Sequence, residues 1–275
     1  MKTPALEKIR FAKENQETTL DLCSMELETL PAEIRELPAL ERLFLTGNRL
    51  ASLPGWLWEM TSLKELYLSD NRLAALPKGI GHLARLEKLV ASNNQLTALP
   101  EEVGLLKQLK LLSLRYNLLQ SVPESLGELE NLEQLLLMFN HLKALPQSIG
   151  KLARLRLFFL TGNQAGKLPD EFWQLENMDE LGLSSMPAFN ELPEECSNLK
   201  NLRRLFLNGN GLTALPQGLT RLRKLEWLFV RNNKLELLPP GFENLKKLQR
   251  MDVRNNPIAN LEETLKKMAS PPVLN

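Results

Sequence analysis

Asparagine recurs at positions 48, 71, 94, 117, 140 and 163 and, after a methionine at 186, resumes at 210, 233 and 256. The segments around it superpose. LERLFLTGNRLASLP from Leu40, LKELYLSDNRLAALP from Leu63, LKLLSLRYNLLQSVP from Leu109 and LRRLFLNGNGLTALP from Leu202 share the template LxxLxLxxNxLxxLP. One step before Asn48 lies Met25, inside LDLCSMELETLP, so the chain reads as eleven repeats of 23 residues with one of 24. A strict repeat of this length limits the fold severely. No unit can bury its leucines alone, so neighbouring units must stack and share a continuous core.

Elementary geometry fills in each unit. The LxL spacing has period two, which sends both leucines to one face of a short strand and the residue between them to the other. One strand per unit, laid side by side, makes a parallel sheet. The asparagine amide both donates and accepts, which satisfies turn backbone that would otherwise be buried unpaired. The proline after the last leucine stops the sheet and starts the outward return. Thr3 and Pro4 form a helix start, with Leu6, Ile9 and Phe11 or Ala12 available to cover the first repeat. LEETLKKMASPP offers Leu261, Leu265 and Met268 to the far end, and Pro271 stops that helix. The extra residue near Met186, in MDELGLSSMPAFNELP, predicts a local irregularity in the stack.

The template, together with the segments LPKGIGHL and LPQSIGKL, resembles the intracellular class of 23-residue leucine-rich repeat proteins over residues 18 to about 261. That class includes Ras-signalling scaffold and Ras-suppressor repeat proteins, the repeats of Roco GTPases, and bacterial homologues. The resemblance implies an α/β leucine-rich repeat solenoid, or horseshoe, with a parallel sheet on its concave face and helical N- and C-terminal caps. The whole of 1–275 is then a single domain: a cap at 1–17, eleven repeats over 18–261, and a C-terminal cap and tail at 262–275.

Composition narrows the setting. Hydrophobic residues make up 43% and charged residues 24%, and no apolar run approaches the roughly 20 residues of a spanning helix. The first residues, MKTPALEKIRFAKENQ, mix both charge signs and do not read as a secretory signal. Two cysteines 173 positions apart fit a reducing compartment, so the expectation is a soluble, cytoplasmic, monomeric protein with no membrane span. The net charge is only +1, yet residues 199–256 carry twelve Lys or Arg against four acidic groups. The C-terminal third is a basic module on an acidic body.

Function is expected from the residues between the two leucines of each LxL, which point to the concave, solvent-facing side. They are Asp21, Phe44, Tyr67, Val90, Ser113, Leu136, Phe159, Gly182, Phe206, Phe229 and Asp252. Seven are large and apolar, where packing within the chain does not require them, and such surface marks interaction sites. The competing reading is structural: strands about 4.8 Å apart let these rings support one another as a ladder. Adjacent columns add Leu111, Leu157, Arg204, Trp227 and Arg250 on one side, and Arg115, Met138, Arg231 and Arg254 on the other. Two patches follow. One is an apolar centre of Leu111, Leu136, Met138, Phe139, Leu157 and Phe159; the other is C-terminal, built from Arg204, Phe206, Trp227, Phe229, Arg231, Arg250 and Arg254, with Gly182, Ser184 and Ser185 separating them. Trp and Arg together are the usual energetic anchors of interfaces.

Enzymatic readings fare worse. His82 lies in the outward segment GIGHL, His141 in a turn, and Cys196 takes a core slot. Cys23 reads as a free thiol with no histidine in register to activate it. No phosphate loop, dinucleotide fingerprint, kinase signature or zinc spacing occurs, so no catalytic residue, metal or cofactor is expected. KIRF, Lys8 to Phe11, matches a short phosphatase-docking pattern that requires a strand, but it falls in the expected capping helix. The leading expectation is a non-enzymatic scaffold binding a protein partner with an acidic surface. Alternatives are an adaptor whose basic C-terminal repeats bind nucleic acid or anionic lipid, nucleic acid being disfavoured by the balanced charge, and a bacterial effector acting on a host signalling protein.

Overall fold

The computed structural model describes residues 4–274. Thr3, the expected start of the first helix, lies outside them. The chain forms two compact units, one ending at Leu136 and one starting at Leu137.

In the first unit a helix, α1 (Pro4–Glu14), precedes six strands: β1 (Thr19–Asp21), β2 (Arg42–Phe44), β3 (Glu65–Tyr67), β4 (Lys88–Val90), β5 (Leu111–Ser113) and β6 (Gln134–Leu136). They pair in parallel and in chain order, each residue opposite its equivalent 23 positions on, as in Leu43↔Leu66 and Leu66↔Leu89. The second unit holds β7 (Leu157–Phe159), β8 (Glu180–Gly182), β9 (Arg204–Phe206), β10 (Trp227–Phe229), β11 (Arg250–Asp252), the helix α2 (Leu261–Lys267) and β12 (Val273–Leu274), again parallel and in order. Between strands the chain returns through short 3₁₀ helices such as Lys78–His82 and Gln217–Arg221, both entered from a proline in extended conformation, whereas Phe242–Asn244 is entered from Gly241 in left-handed conformation. These returns pack closely: a Cβ on Gly104 would come within 2.5 Å of the Ser125 carbonyl in the next repeat. The expected repeat solenoid, with a parallel sheet and helical ends, is what the structure shows.

Both leucines of the LxL pairs are buried along each unit, for example Leu43 and Leu45, or Leu205 and Leu207. The asparagines do what their chemistry predicts. Asn71 Nδ2 donates to the carbonyls of Leu45 (2.9 Å) and Leu68 (3.0 Å), while its Oδ1 accepts from the Leu50 N–H at 3.0 Å. Asn233 repeats this in the second unit, donating to Leu207 and Val230 and accepting from Leu212. Each asparagine thereby ties a turn in its own repeat to the backbone of the one before it.

The ends and the irregularity add detail. Ala5, Ile9 and Ala12 are the buried residues of α1, whereas Phe11 is 61% exposed, so Ala12 rather than Phe11 covers the first repeat. The Lys8 to Phe11 stretch is helical, as expected. In α2 it is Thr264 that is buried, with Met268 just beyond; Leu261 and Leu265 are half-buried. The following Val273–Leu274 adds a strand to β11 that the repeat template does not contain. Near Met186 the additional residue sits between Met186 and Phe189, both fully buried, and Phe189 takes the place of the usual leucine. Strand register survives the insertion, with Glu180 opposite Arg204 and Gly182 opposite Phe206.

Candidate partner-binding face

In the second unit the open face of the sheet carries three parallel rows of side chains, because strand residues two apart share a face and register partners lie side by side. The middle row runs Phe159, Gly182, Phe206, Phe229, Asp252. The Phe206 and Phe229 rings stack at 5.4 Å between centroids, and Phe159 reaches Phe206 at 5.8 Å. These rings are half-buried, so the ladder expected as the structural alternative is present in part. Gly182 does not separate two patches. A Cβ at Gly182 would stand 2.2 Å from Phe159 Cδ1, because that ring lies across the glycine to meet Phe206. Gly182→Val should therefore displace the ring and cost about 1–3 kcal/mol, the usual price of overpacking. Chemical denaturation checks this; a change within about 0.5 kcal/mol, as at an ordinary surface site, would mean that the ring has room to move.

The row beside it runs Glu180, Arg204, Trp227, Arg250. The indole is flanked by both arginines, with Arg204 Cζ 4.5 Å and Arg250 Cζ 4.9 Å from its ring centroid. Trp227 also meets Phe229 edge-on at 6.1 Å. Cation–π contact of this kind holds the guanidinium planes against the ring. Arg204 is also ion-paired with Glu180. In the third row Arg254 grips Asp252 at two points, Nε to Oδ1 at 2.9 Å and a terminal nitrogen to Oδ2 at 2.5 Å. That hydrogen bonding holds the Asp252 carboxyl below its usual range. Of the four arginines expected in the C-terminal patch, Arg231 and Arg250 are the two that make no ion pair among the described residues, and both are exposed.

The first unit presents a smaller counterpart. Phe44 and Tyr67 stack at 4.6 Å with planes 12° apart. The Tyr67 hydroxyl donates to Glu65 Oε2, and burial followed by this carboxylate raises its pKa. Leu111, Arg115 and Leu136 are half-buried on strands or turns of this unit, while Met138, Phe139, Leu157 and Phe159 belong to the second. Phe139 stands on a turn with a left-handed φ of 55° and is 40% exposed. Tyr116, at the equivalent turn position of the first unit, has φ 54° and is 54% exposed. The other residues with positive φ at this turn position are Gly, Asn, Asp or Ser, for which such φ costs less. Tyr116 is absent from the expected site, although Phe139 in the same turn column is part of it.

Reactive side chains lie apart from these rows. Cys196 is buried, and desolvation pushes its thiol up to about 12. Cys23 is half-buried and raised by the same cause, so neither thiol ionises readily near neutrality. His82 is exposed in the first unit and His141 in the second. Among the described residues no group of three or more His, Cys, Asp or Glu is placed to hold a metal ion, and no helix is long and apolar enough to cross a membrane.

One pattern escaped the sequence reading. The position just before each strand reads Glu41, Lys64, Glu87, Lys110, Glu133, then Arg156, Asp179, Arg203, Glu226. Charge alternates at every step. The first unit realises this as Lys64–Glu41 at 2.6 Å and Lys110–Glu87 at 2.7 Å, and the second as Arg156–Asp179 at 3.8 Å with Arg203 between Asp179 and Glu226 at 3.6 and 4.0 Å. Each exposed pair contributes little alone, on the order of 0–1 kcal/mol.

Known proteins share this architecture. The family described as Leucine rich repeat matches residues 18–73, 84–142 and 195–265, and a two-copy form of it matches 61–105. No curated protein sequence matches the chain. Among solved structures, a leucine-rich repeat protein of Leptospira interrogans is 28% identical with a TM-score of 0.50, covering 97% of this chain and 98% of that one. YopM, a leucine-rich effector protein from Yersinia pestis, is 29% identical with a TM-score of 0.72, over 92% of this chain and 64% of its own. The Arabidopsis receptor kinase HAESA, solved with a peptide hormone and a co-receptor, is 26% identical with a TM-score of 0.77, over 87% of this chain and 42% of its own. The chain thus spans less than two thirds of the YopM and HAESA chains.

Proposed function

The chain belongs to the leucine-rich repeat family, and on that premise we propose that it is a non-enzymatic scaffold binding a protein partner through the open sheet face of its second unit. The contact centres on Phe206, Trp227 and Phe229, with Phe159 extending the apolar row and Arg231 and Arg250 supplying charge. The observation that carries this reading is a pair of exposed arginines outside any ion pair, Arg231 and Arg250, beside a continuous run of aromatic rings. Rings fixed by their neighbours lose little freedom on binding, and guanidinium groups pair with carboxylates in two-point geometry. HAESA, with its peptide hormone, shows a relative of this fold holding a peptide. Stacking of nucleic-acid bases on Trp227 is disfavoured, because both flanking arginines already occupy its ring. The raised cysteine thiols and the two histidines in different units support a role in binding rather than turnover. The remaining expected contacts, Phe44 and Tyr67 in the first unit and Leu111, Arg115, Leu136, Met138, Phe139 and Leu157, stand as secondary candidates within the same proposal.

The test is affinity for a partner captured from the source lysate and then purified. Trp227→Ala should weaken binding by roughly 2 kcal/mol, as a central aromatic anchor does. Arg231→Glu should mainly slow association, in a salt-dependent way. Wild-type affinity for Trp227→Ala, alongside loss of binding in Leu136→Ser, would move the site off this face.

A further inference from the structure

The basic excess of the C-terminal third is not concentrated on the sheet face. Arg204 and Arg254 are spent on Glu180 and Asp252, Arg203 on Asp179 and Glu226, and Lys200 on Glu176. Arg231 and Arg250 remain unpaired on the sheet face, and the larger group of unpaired cations lies elsewhere. Arg221, Arg223, Lys224, Lys246 and Lys247 lie at or beside the turns that lead from the 3₁₀ helices into β10 and β11, and all are exposed. None of the five is in an ion pair among the described residues.

Their arrangement runs against the habit of the chain. Arg223 and Lys246 occupy equivalent positions of consecutive repeats, as do Lys224 and Lys247, so like charge stacks on like. The turns are built alike, with Leu225 N–H bonded to the Leu222 carbonyl and Leu248 N–H to the Leu245 carbonyl, both near 3 Å. A side chain here spans one repeat: Lys224 Nζ reaches Asn201 Oδ1, one turn back, at 2.6 Å. Three residues further along the chain, the column before the strands alternates in sign. The fold gains nothing from repulsion at the turns, which points to an anion outside the chain.

We infer that this ridge docks on an anionic lipid surface, independently of the partner held at the sheet face. Three features favour lipid headgroups. The ridge has no exposed apolar or aromatic side chain, since Leu222, Leu225, Leu245 and Leu248 are all buried; a protein interface core requires such anchors and is depleted in lysine. It likewise lacks the stacking platform that single-stranded nucleic acid uses. Its long side chains are mostly without fixed partners, which suits a diffuse sheet of phosphates, where each cation adds roughly fivefold to binding. The net charge of +1 gives the chain no general attraction to anions, so adhesion must be local.

Sedimentation with lipid vesicles tests this. Vesicles of phosphatidylcholine with about 30% phosphatidylserine should carry the protein down at low salt, and pure phosphatidylcholine should not. Arg223→Glu with Lys246→Glu should reduce binding at least tenfold, at exposed positions where folding is unaffected, as an unchanged circular dichroism melt would verify. Arg231→Glu with Arg250→Glu, on the sheet face, should change it less than about twofold. The inference is overturned if the anionic vesicles fail to bind, if the ridge variant binds as wild type does, or if the sheet-face variant loses binding equally. Binding to duplex DNA in preference to vesicles would give the ridge to nucleic acid and overturn it too.

Discussion

Leu205→Ala is expected to lower the unfolding free energy by about 2–5 kcal/mol, read from denaturant midpoints of the purified protein. Leu205 is fully buried at the centre of β9, opposite Leu181 on one side and Leu228 on the other. Truncation therefore opens a cavity facing two repeat interfaces at once, and strands held by register on both sides have little freedom to collapse into it. Its neighbour provides the contrast. Phe206→Ser removes one stacked and one tilted ring contact from a half-buried side chain, so about 1 kcal/mol is expected. Equal losses for the two variants would show the ring row to be as structural as the leucine core, and would weaken its assignment to a partner.

Asn71→Ala should be the next most severe, about 1–3 kcal/mol, although it removes no hydrophobic contact. It leaves the buried N–H of Leu50 unpaired, worth about 1–3 kcal/mol, and takes one of two donors from the carbonyls of Leu45 and Leu68, which keep their bonds from Asn48 and Asn94. Asn71→Asp gives the sharper test. The carboxylate keeps an acceptor for Leu50 but turns a second acceptor toward two carbonyls, so aspartate should be at least as damaging as alanine despite its matching shape. If aspartate restored stability, the bonds to Leu45 and Leu68 would contribute nothing.

The repeats, the parallel strands and the asparagine turns were legible because each carries its signal at a fixed spacing: Leu43, Leu66 and Leu89 pair because they are 23 residues apart. Gly182 was misread as a gap for the opposite reason. A missing side chain looks like an interruption along the sequence, but the ring that fills it, Phe159, comes from the neighbouring strand. Charge sums failed similarly. Adding up residues 199–256 located a basic region without revealing that Glu180 and Asp252 neutralise two of its arginines, or that five of the unpaired cations stand at or beside turns. Val273–Leu274 carries no leucine template, and its pairing with β11 is decided by where α2 ends. Phe11 and Ala12 both fit the N-terminal helix pattern, and only packing against the first repeat decides between them.

The alternating column from Glu41 to Glu226 has twice the period of the fold it decorates. Its sign therefore gives each repeat a parity that the leucines lack. To the hydrophobic core all repeats are nearly interchangeable, and a stack that skipped one would still bury its leucines. Such a skip would set Glu41 against Glu87, or Lys64 against Lys110, at the junction. Losing two adjacent repeats would instead restore the pattern. A chain marked in this way tolerates growth or loss in pairs better than singly, and during folding it discriminates against the mispairing that its own regularity most invites.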